Sequence, residues 1–233
     1  MATFDLAACP LRELNAELHR QAAIVREGGA AEQQWEILNP RGSHAVAVGV
    51  DAPLEITVRG NVGYYCGGMN QSGTIRIEGS AGPGLGENMM SGTISVSGNA
   101  SQYAGATGRG GLLVINGNAS SRCGISMKGI DILVRGNVGH MSAFLAQAGN
   151  LVVLGDAGDS LGDSIYEARV FVLGQVKSLG ADCIKKEMRK EHIELLESLL
   201  TRAGISDMKA SDFTRYGSAR ELYHFDVDRF DAY

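Results

Sequence analysis

The segment Gly158-Asp-Ser-Leu-Gly162 carries the most direct signal for chemistry in this chain of 233 residues. It matches the pattern G-x-S-x-G, in which a serine on a sharp strand-to-helix turn is the nucleophile of a hydrolase. Such a site needs a helix after the serine and a histidine placed as its base. No helical pattern follows Ser160, no histidine is placed for it, and both glycines belong to a longer repeat. We therefore expect Ser160 to lie in a structural turn.

Two glycine-rich segments, Gly82–Gly86 and Gly105–Gly111, have the composition of phosphate-binding loops. A phosphate loop delivers its anion to the N-terminal amides of a helix, and the P-loop adds a Lys followed by Ser or Thr. Here an alternating strand pattern follows both segments, and neither contains the Lys. We interpret both segments as turns of a repeating backbone.

The cysteines and the net charge restrict the remaining classes of function. The four cysteines form no C-x-x-C pair and no Cys/His cluster, which argues against a metal site. The net charge of −5 offers no basic surface for nucleic acid. The first residues lack the pattern of a secretion signal, and the aliphatic runs are too short to cross a bilayer. We expect a cytoplasmic protein with reduced thiols.

A repeat of nineteen residues underlies these matches. Seven glycines stand nineteen residues apart, and two aliphatic residues in alternation precede each of them. The marker glycines are Gly60, Gly79, Gly98, Gly117, Gly136, Gly155 and Gly174. A short polar residue follows each marker, from Asn61 to Gln175, and we expect these residues to hydrogen-bond along a stack. Repeats of this length are typical of solenoids, in which stacked coils share one core.

The repeat predicts an all-β fold, a right-handed parallel β-helix of about seven 19-residue coils with helical N- and C-terminal caps. We attribute the glycines to corners that need a tight or positive-φ backbone. The chain divides into three predicted regions. Residues 1–53 form an N-terminal helix and strand cap, and residues 54–180 form the β-helix. Residues 181–233 form a C-terminal helix and an aromatic tail.

Apolar periodicity predicts the elements of the two caps. The N-terminal region contains a helix over Pro10–His19 and strands over Trp35–Leu38 and His44–Val50. The C-terminal region contains a helix over Ile184–Arg202, which Gly204 ends. Both helices are expected to cover the ends of the stack, because the open edge of a sheet needs protection.

Aromatic and methionine side chains are concentrated on the segments that return each coil to its next strand, and on the tail. They either form an apolar surface for a partner protein or fill the interior, and the sequence supports both interpretations equally. The interface candidates are Tyr64, Tyr65, Met69, Met89, Met90, Tyr103, Met127, Met141, Phe144, Tyr216, Tyr223 and Phe225.

His140 is the one side chain in the repeat that suggests acid–base catalysis, since an imidazole titrates near neutral pH. As a general base it would make the chain a stand-alone β-helix enzyme acting on an acyl or sugar substrate. Other coils carry Tyr64, Pro83 and Gln102 at the same position, which favours a variable surface residue. We assign no catalytic residue to the chain.

The segment Ile56–Gly67 has the pattern I-x-V-x-G-N-x-G-x-x-x-G. This pattern resembles the GXGXG domain, the C-terminal β-helix of the glutamate synthase large subunit, and one of the subunits of formylmethanofuran dehydrogenase carries a related domain. The resemblance covers about residues 36–174. The flanking segments Phe4–Asn15 and Arg215–Tyr223 are most similar to the free-standing subunit of bacterial N-methylglutamate synthase.

The resemblance implies a structural subunit of an enzyme complex, with no active site, metal or cofactor of its own. It implies two partners, a glutaminase-type amidotransferase subunit and an FMN-binding synthase subunit, which the chain would bridge. It also implies that FMN and an iron–sulfur cluster lie in a partner, and this chain has no cysteine set for a cluster. The alternatives are a scaffold like the related subunit of formylmethanofuran dehydrogenase and the stand-alone β-helix enzyme.

Overall fold

A computed structural model describes residues 1–221 of the chain. Eleven strands of this part form one sheet in the order β1-β2-β3-β4-β5-β6-β7-β8-β9-β11-β10. The strands are β1 (Ala2–Asp5), β2 (Gln34–Leu38), β3 (Glu55–Arg59), β4 (Thr74–Glu78), β5 (Thr93–Val96), β6 (Leu112–Ile115), β7 (Lys128–Val134), β8 (Ala148–Val153), β9 (Arg169–Val172), β10 (Cys183–Lys186) and β11 (Thr214–Ser218). The helices are α1 (Leu11–Arg26), α2 (Lys190–Arg202) and a 3-10 turn (Ala210–Asp212).

Strands β1 to β9 are all parallel, and each lies beside the next in the chain. The register places equivalent aliphatic residues side by side, as in Ile56 beside Ile75 and Ile75 beside Ile94. These side chains are buried in one continuous core. The predicted parallel β-solenoid of about seven coils is confirmed, and β2 adds a strand in the same register. The right-handed winding stays a prediction from the crossover rule.

The polar ladder after the marker glycines links each coil to the next. The side-chain oxygen of one rung accepts a hydrogen bond from the backbone N–H of the next rung. The Asn99 Oδ1 accepts from Asn118 N–H at 2.8 Å, and the Asn118 Oδ1 accepts from Asn137 N–H at 2.8 Å. Beside the ladder, small apolar residues from Val62 to Val176 pair in parallel from coil to coil. The predicted ladder is confirmed, with side-chain-to-backbone bonds.

The marker glycines are required because the coils stack closely. We had attributed them to corners with a tight or positive-φ backbone, and the structure corrects this reason. Only Gly60 has a positive φ, of 129°. A Cβ at Gly117 would lie 2.4 Å from the Asn99 Oδ1 and 2.7 Å from the Gly98 carbonyl oxygen. Real side chains do not pack at such distances, so the preceding coil leaves no room for one.

Positive φ occurs instead in the return segments, at three residues spaced two apart in each coil. In one coil these are Tyr65, Gly67 and Met69. The predicted strand His44–Val50 is wrong, because this segment is the return of the first coil and both Ala45 and Ala47 have positive φ. Side chains along this turn point alternately inward and outward with a period of two residues. A β-strand has the same period, which is why the sequence pattern of the turn resembles that of a strand.

Helix α1 covers the first end of the stack. Leu14 and Leu18 are buried in the main core. Between them, the Asn15 Nδ2 donates to the Ala45 carbonyl at 2.9 Å, and the Asn15 Oδ1 accepts from Ala47 N–H at 3.1 Å. Asn15 therefore satisfies backbone groups of the first return segment that have no preceding coil to pair with.

The two predicted helices differ from the observed ones at their bounds. Helix α1 continues past His19 to Arg26, and Gly28 follows it with a φ of 77°. Helix α2 begins at Lys190 instead of Ile184, because Cys183–Lys186 forms β10 and pairs antiparallel with β11. Tertiary pairing thus overrides a local helical pattern, as it often does for short segments. Gly204 has a φ of 69° after α2, as predicted for the end of this helix.

Two different elements cover the C-terminal part of the solenoid. Strand β11 pairs antiparallel with β9 and closes the exposed edge of the last coil. Helix α2 packs instead against the outer face of β6–β9, where Leu196 and Leu199 join Phe171 in a second hydrophobic core. We expected this helix at the end of the stack, whereas it lies on the side of the sheet.

The close stacking predicts that Gly117→Val lowers the free energy of unfolding by about 1–3 kcal/mol, because the added side chain meets the backbone of the preceding coil. Thr57→Val on the outward face of β3 is the matched control, because it places the same side chain where there is room. Chemical denaturation measures both. An unchanged free energy for Gly117→Val would contradict the stacking argument.

The N-terminal cap predicts that Asn15→Ala costs about 1–2 kcal/mol, because it leaves a carbonyl and an N–H without their partner. Arg12→Ala, on the exposed side of the same helix, should cost much less. Hydrogen exchange of the Ala47 amide provides a local measurement. Equal protection of this amide in the wild type and in Asn15→Ala would show that the cap does not depend on Asn15.

Candidate functional site

Ser160 lies in a return segment and forms no nucleophile elbow. Its φ of 57° is shared by Tyr65 and Met141 at the equivalent position of other coils. Its backbone N–H donates to the Ser178 Oγ at 2.9 Å. The next element is the strand β9, where a hydrolase has a helix. The G-x-S-x-G match is therefore a product of the repeat, as predicted.

His140, Asp159 and Ser178 occupy the same position in three consecutive coils. The Asp159 carboxylate accepts from the Lys177 Nζ at 2.8 Å and from the Ser178 Oγ at 3.3 Å. The Lys177 bond lowers the pKa of Asp159. In a catalytic triad the histidine stands between the serine and the carboxylate, whereas here the carboxylate stands between the other two. This order provides no base for the serine.

The two glycine-rich segments lead into strands. Gly82–Gly86 precedes β5 and Gly105–Gly111 precedes β6. Gly86 and Gly105 have positive φ at equivalent places of the return segment. The helix N-terminus that a phosphate loop needs is therefore missing at both positions.

The four cysteines are free thiols. Cys66 and Cys123 are fully buried, and burial raises the pKa of each thiol to about 12. A thiol of this kind is neutral at physiological pH and a poor nucleophile. Residues 1–221 contain no group of three or more His, Cys, Asp or Glu residues that could hold a metal ion. Neither of the two α-helices in this part has the length and apolar character of a membrane span.

The ten interface candidates within residues 1–221 fall into three groups. Met89 and Met127 are fully buried in the main core, which makes them wrong as contact residues. The half-buried candidates are Tyr103, Met141, Phe144 and Tyr216. The exposed candidates are Tyr64, Tyr65, Met69 and Met90. Tyr223 and Phe225 lie outside the described residues. The alternation of inward and outward side chains along the turn decides which methionines are buried.

The exposed candidates and Tyr103 lie on neighbouring coils, and we call Tyr64, Tyr65, Met69, Met90 and Tyr103 the aromatic surface. The exposed fractions of its four most accessible side chains are 43% to 51%. The Tyr64 ring stacks on His44 with centroids 3.6 Å apart, and it meets the Tyr65 ring edge-on at 5.2 Å. His44 also accepts the Tyr64 backbone N–H at 3.2 Å. The tyrosines are therefore held in place before any partner binds.

A cleft of about 280 Å³ opens in the aromatic surface, and its wall includes Pro83, Gly84 and Glu87. A Cβ at Gly84 would lie 2.9 Å from the Tyr65 Cδ1 and 3.0 Å from the Glu87 Oε2, so the glycine leaves room for both groups. Burial raises the pKa of the Glu87 carboxyl. The cleft thus presents one carboxyl group among the rings of Tyr64, Tyr65 and Tyr103.

Sequence reasoning missed a second concave surface, a cleft of about 600 Å³ between β9, β10, β11 and the start of α2. We call it the basic cleft, because Arg169, Lys185, Lys186 and Arg215 line it. These residues are far apart in the sequence, so no local pattern indicates it. The antiparallel pairing of β11 with β9 and β10 brings them together.

The fold has a counterpart among solved structures. It is similar to a chain in the crystal structure of the formyltransferase/hydrolase complex (FhcABCD) from Methylorubrum extorquens in complex with methylofuran. The TM-score is 0.53 and the sequence identity 22%, over 67% of this chain and 69% of the other. At this identity the likeness concerns the fold alone.

No family model matches the chain. A comparison of sequences finds a close relative, Protein GlxC of Rhizobium meliloti (strain 1021), which is 64% identical over all 233 residues. The match spans 100% of both chains, so the caps and the solenoid are shared. The chain belongs to the GlxC family.

Proposed function

We propose that the chain is a non-catalytic structural subunit of a glutamate-synthase-like complex, either N-methylglutamate synthase or glutamate synthase. The observation that carries this proposal is the aromatic surface, which presents large, exposed apolar side chains on a rigid stack of coils. Tyrosine and methionine are enriched where proteins bind one another. The resemblance of the repeat to the glutamate synthase β-helix supports the proposal that the complex is of the glutamate synthase type.

The stack is suited to hold partners in register. Each coil is fixed to the next by strand pairing, by the polar ladder and by close contact at the marker glycines. A surface built on such a stack loses little conformational entropy when it binds, which leaves more of the contact energy for affinity. A solenoid also offers separate surfaces along its length, and one chain can contact two proteins at once.

The proposed partners are a glutaminase-type amidotransferase subunit and an FMN-binding synthase subunit, and the chain would bridge them in the cytoplasm. FMN and the iron–sulfur cluster would lie in a partner. The chemistry of this chain supports that division, because Cys66 and Cys123 are neutral thiols inside the core. Thiolates are the ligands that iron–sulfur clusters need.

A second candidate is a scaffold like the β-helix subunit of formylmethanofuran dehydrogenase. The observation that favours it is the shared fold with a chain of the formyltransferase/hydrolase complex. Both candidates give the chain the same physical task and differ in the proteins that it binds. The third candidate, a stand-alone enzyme with His140 as base, has the exposed His140 ring as its only support.

The scaffold proposal predicts that the purified chain is colourless and has no synthase activity, and that activity appears only with the partner subunits. Absorbance at flavin wavelengths and a glutamine-dependent synthase assay measure this. In the intact complex, His140→Ala should have unchanged turnover. A yellow and active preparation of the chain alone would overturn the proposal.

Affinity purification from the native host, followed by mass spectrometry, separates the two kinds of complex. We expect a glutaminase-type chain and a flavin-binding synthase chain in stoichiometric amounts. Formyl-transferring or formyl-dehydrogenase subunits in their place would establish the second candidate and exclude the first.

The aromatic surface predicts that the double variant Tyr65→Asn, Met69→Asn weakens binding to a partner subunit by about tenfold or more. Asparagine suits both positions, because it tolerates the positive φ of Tyr65 and Met69. Ile184→Ser, which removes an exposed side chain from β10, is the control. Surface plasmon resonance against the purified partners measures the affinity. Wild-type affinity of the double variant for every partner would exclude this surface as an interface.

A further inference from the structure

The basic cleft has an excess of positive charge that the described residues do not neutralise. Two of its cations are paired, Arg189 with Glu187 at 3.0 Å and Arg220 with Glu167 at 3.1 Å. The other four cations form no ion pair within residues 1–221. They are Arg169, Lys185, Lys186 and Arg215. Glu191 is the remaining carboxylate of the cleft.

The cations crowd one another at Arg215. Its Nε donates to the Glu187 carbonyl at 3.0 Å, which holds the guanidinium in the wall of the cleft. Burial, followed by the charges of Arg169 and Arg189, lowers the pKa of Arg215. Like charges brought together in a concave surface repel, and a bound anion relieves that repulsion. The positive charge of the wall therefore favours the binding of an anion.

His192 adds a hydrogen-bond donor to the same wall. The residue is nine-tenths buried, with an exposed fraction of 9%. The Nδ1 accepts the Arg189 backbone N–H at 3.1 Å, so the neutral ring carries its hydrogen on Nε2. Burial, followed by the charge of Arg215, lowers the pKa of His192 and favours this neutral form. The Nε2 has no hydrogen-bond partner within residues 1–221, and the side chain lines the cleft.

We propose that the basic cleft binds a small molecule that carries phosphate or carboxylate groups. Arg169 and Arg215 each present a guanidinium fork, which can hold two oxygens of such a group, and the His192 Nε2 donates a further hydrogen bond. The volume of about 600 Å³ falls within the usual range of small-molecule sites. This inference does not rest on the scaffold role, because the whole site lies within this chain.

Calorimetry on the full chain tests the proposal with pyrophosphate and citrate as probes, at constant ionic strength set by sodium chloride. We expect saturable binding of at least one probe at one site per chain, and the tighter probe identifies the preferred group. Arg169→Gln should weaken that binding by about tenfold, because it removes a charge-assisted contact. Its side chain is exposed and unpaired in the described part, so the fold should not depend on it.

Two further variants make the result specific. Arg215→Gln should weaken binding by a similar factor, and its melting temperature shows whether the wall remains folded. Arg109→Gln removes another exposed cation, from the turn before β6 and outside the cleft, and should bind like the wild type. Failure of both probes to bind, or equal affinity of Arg169→Gln and Arg109→Gln, would overturn the proposal. Neither outcome bears on whether the chain binds partner subunits.

Discussion

The close approach of one coil to the next is the constraint on which the rest of the structure depends. At the marker glycines the backbones stack so tightly that a Cβ at Gly117 would overlap the preceding coil. This contact sets the register that places Ile56 beside Ile75 and aligns the polar ladder. Because the 19-residue register repeats from β3 to β9, interrupted by one register shift between Lys128 and Asp131 at the start of β7, the core is continuous and each strand is paired on both sides.

A stack of this kind leaves two kinds of surface that need cover. They are the unpaired backbone at its two ends and any apolar side chains on its outer face. Helix α1 covers one end, where Asn15 pairs with the open return segment. Strand β11 closes the other end by pairing with β9. The outer face of β6–β9 is apolar and would be exposed without α2, which covers it with Leu196 and Leu199. The caps therefore protect the surfaces that the repeat by itself would leave open.

The two concave surfaces arise in different ways, which suits different roles. The aromatic surface comes from return segments of adjacent coils, so the solenoid itself positions Tyr65 and Met69 at a fixed spacing. The basic cleft comes from elements that break the repeat, since Arg215 arrives on an antiparallel strand and His192 on α2. The first presents exposed apolar side chains, which we propose bind a protein, and the second presents cationic donors, which we propose bind a small anion.

The sequence by itself determined the all-β solenoid, its coil length and the polar ladder, because a strict repeat of nineteen residues imposes the same contacts on every coil. It also showed that Ser160 belongs to a turn. Only the tertiary structure decided that Met89 is buried while Met90 is exposed, that Cys183–Lys186 is a strand, and that α2 lies beside the sheet. The physical reason is that two properties are not local to a short segment of the chain. One is the direction of a side chain in a turn with alternating φ, and the other is the pairing between segments that are distant in the sequence. The basic cleft depends entirely on such pairing, and for this reason no motif predicts it.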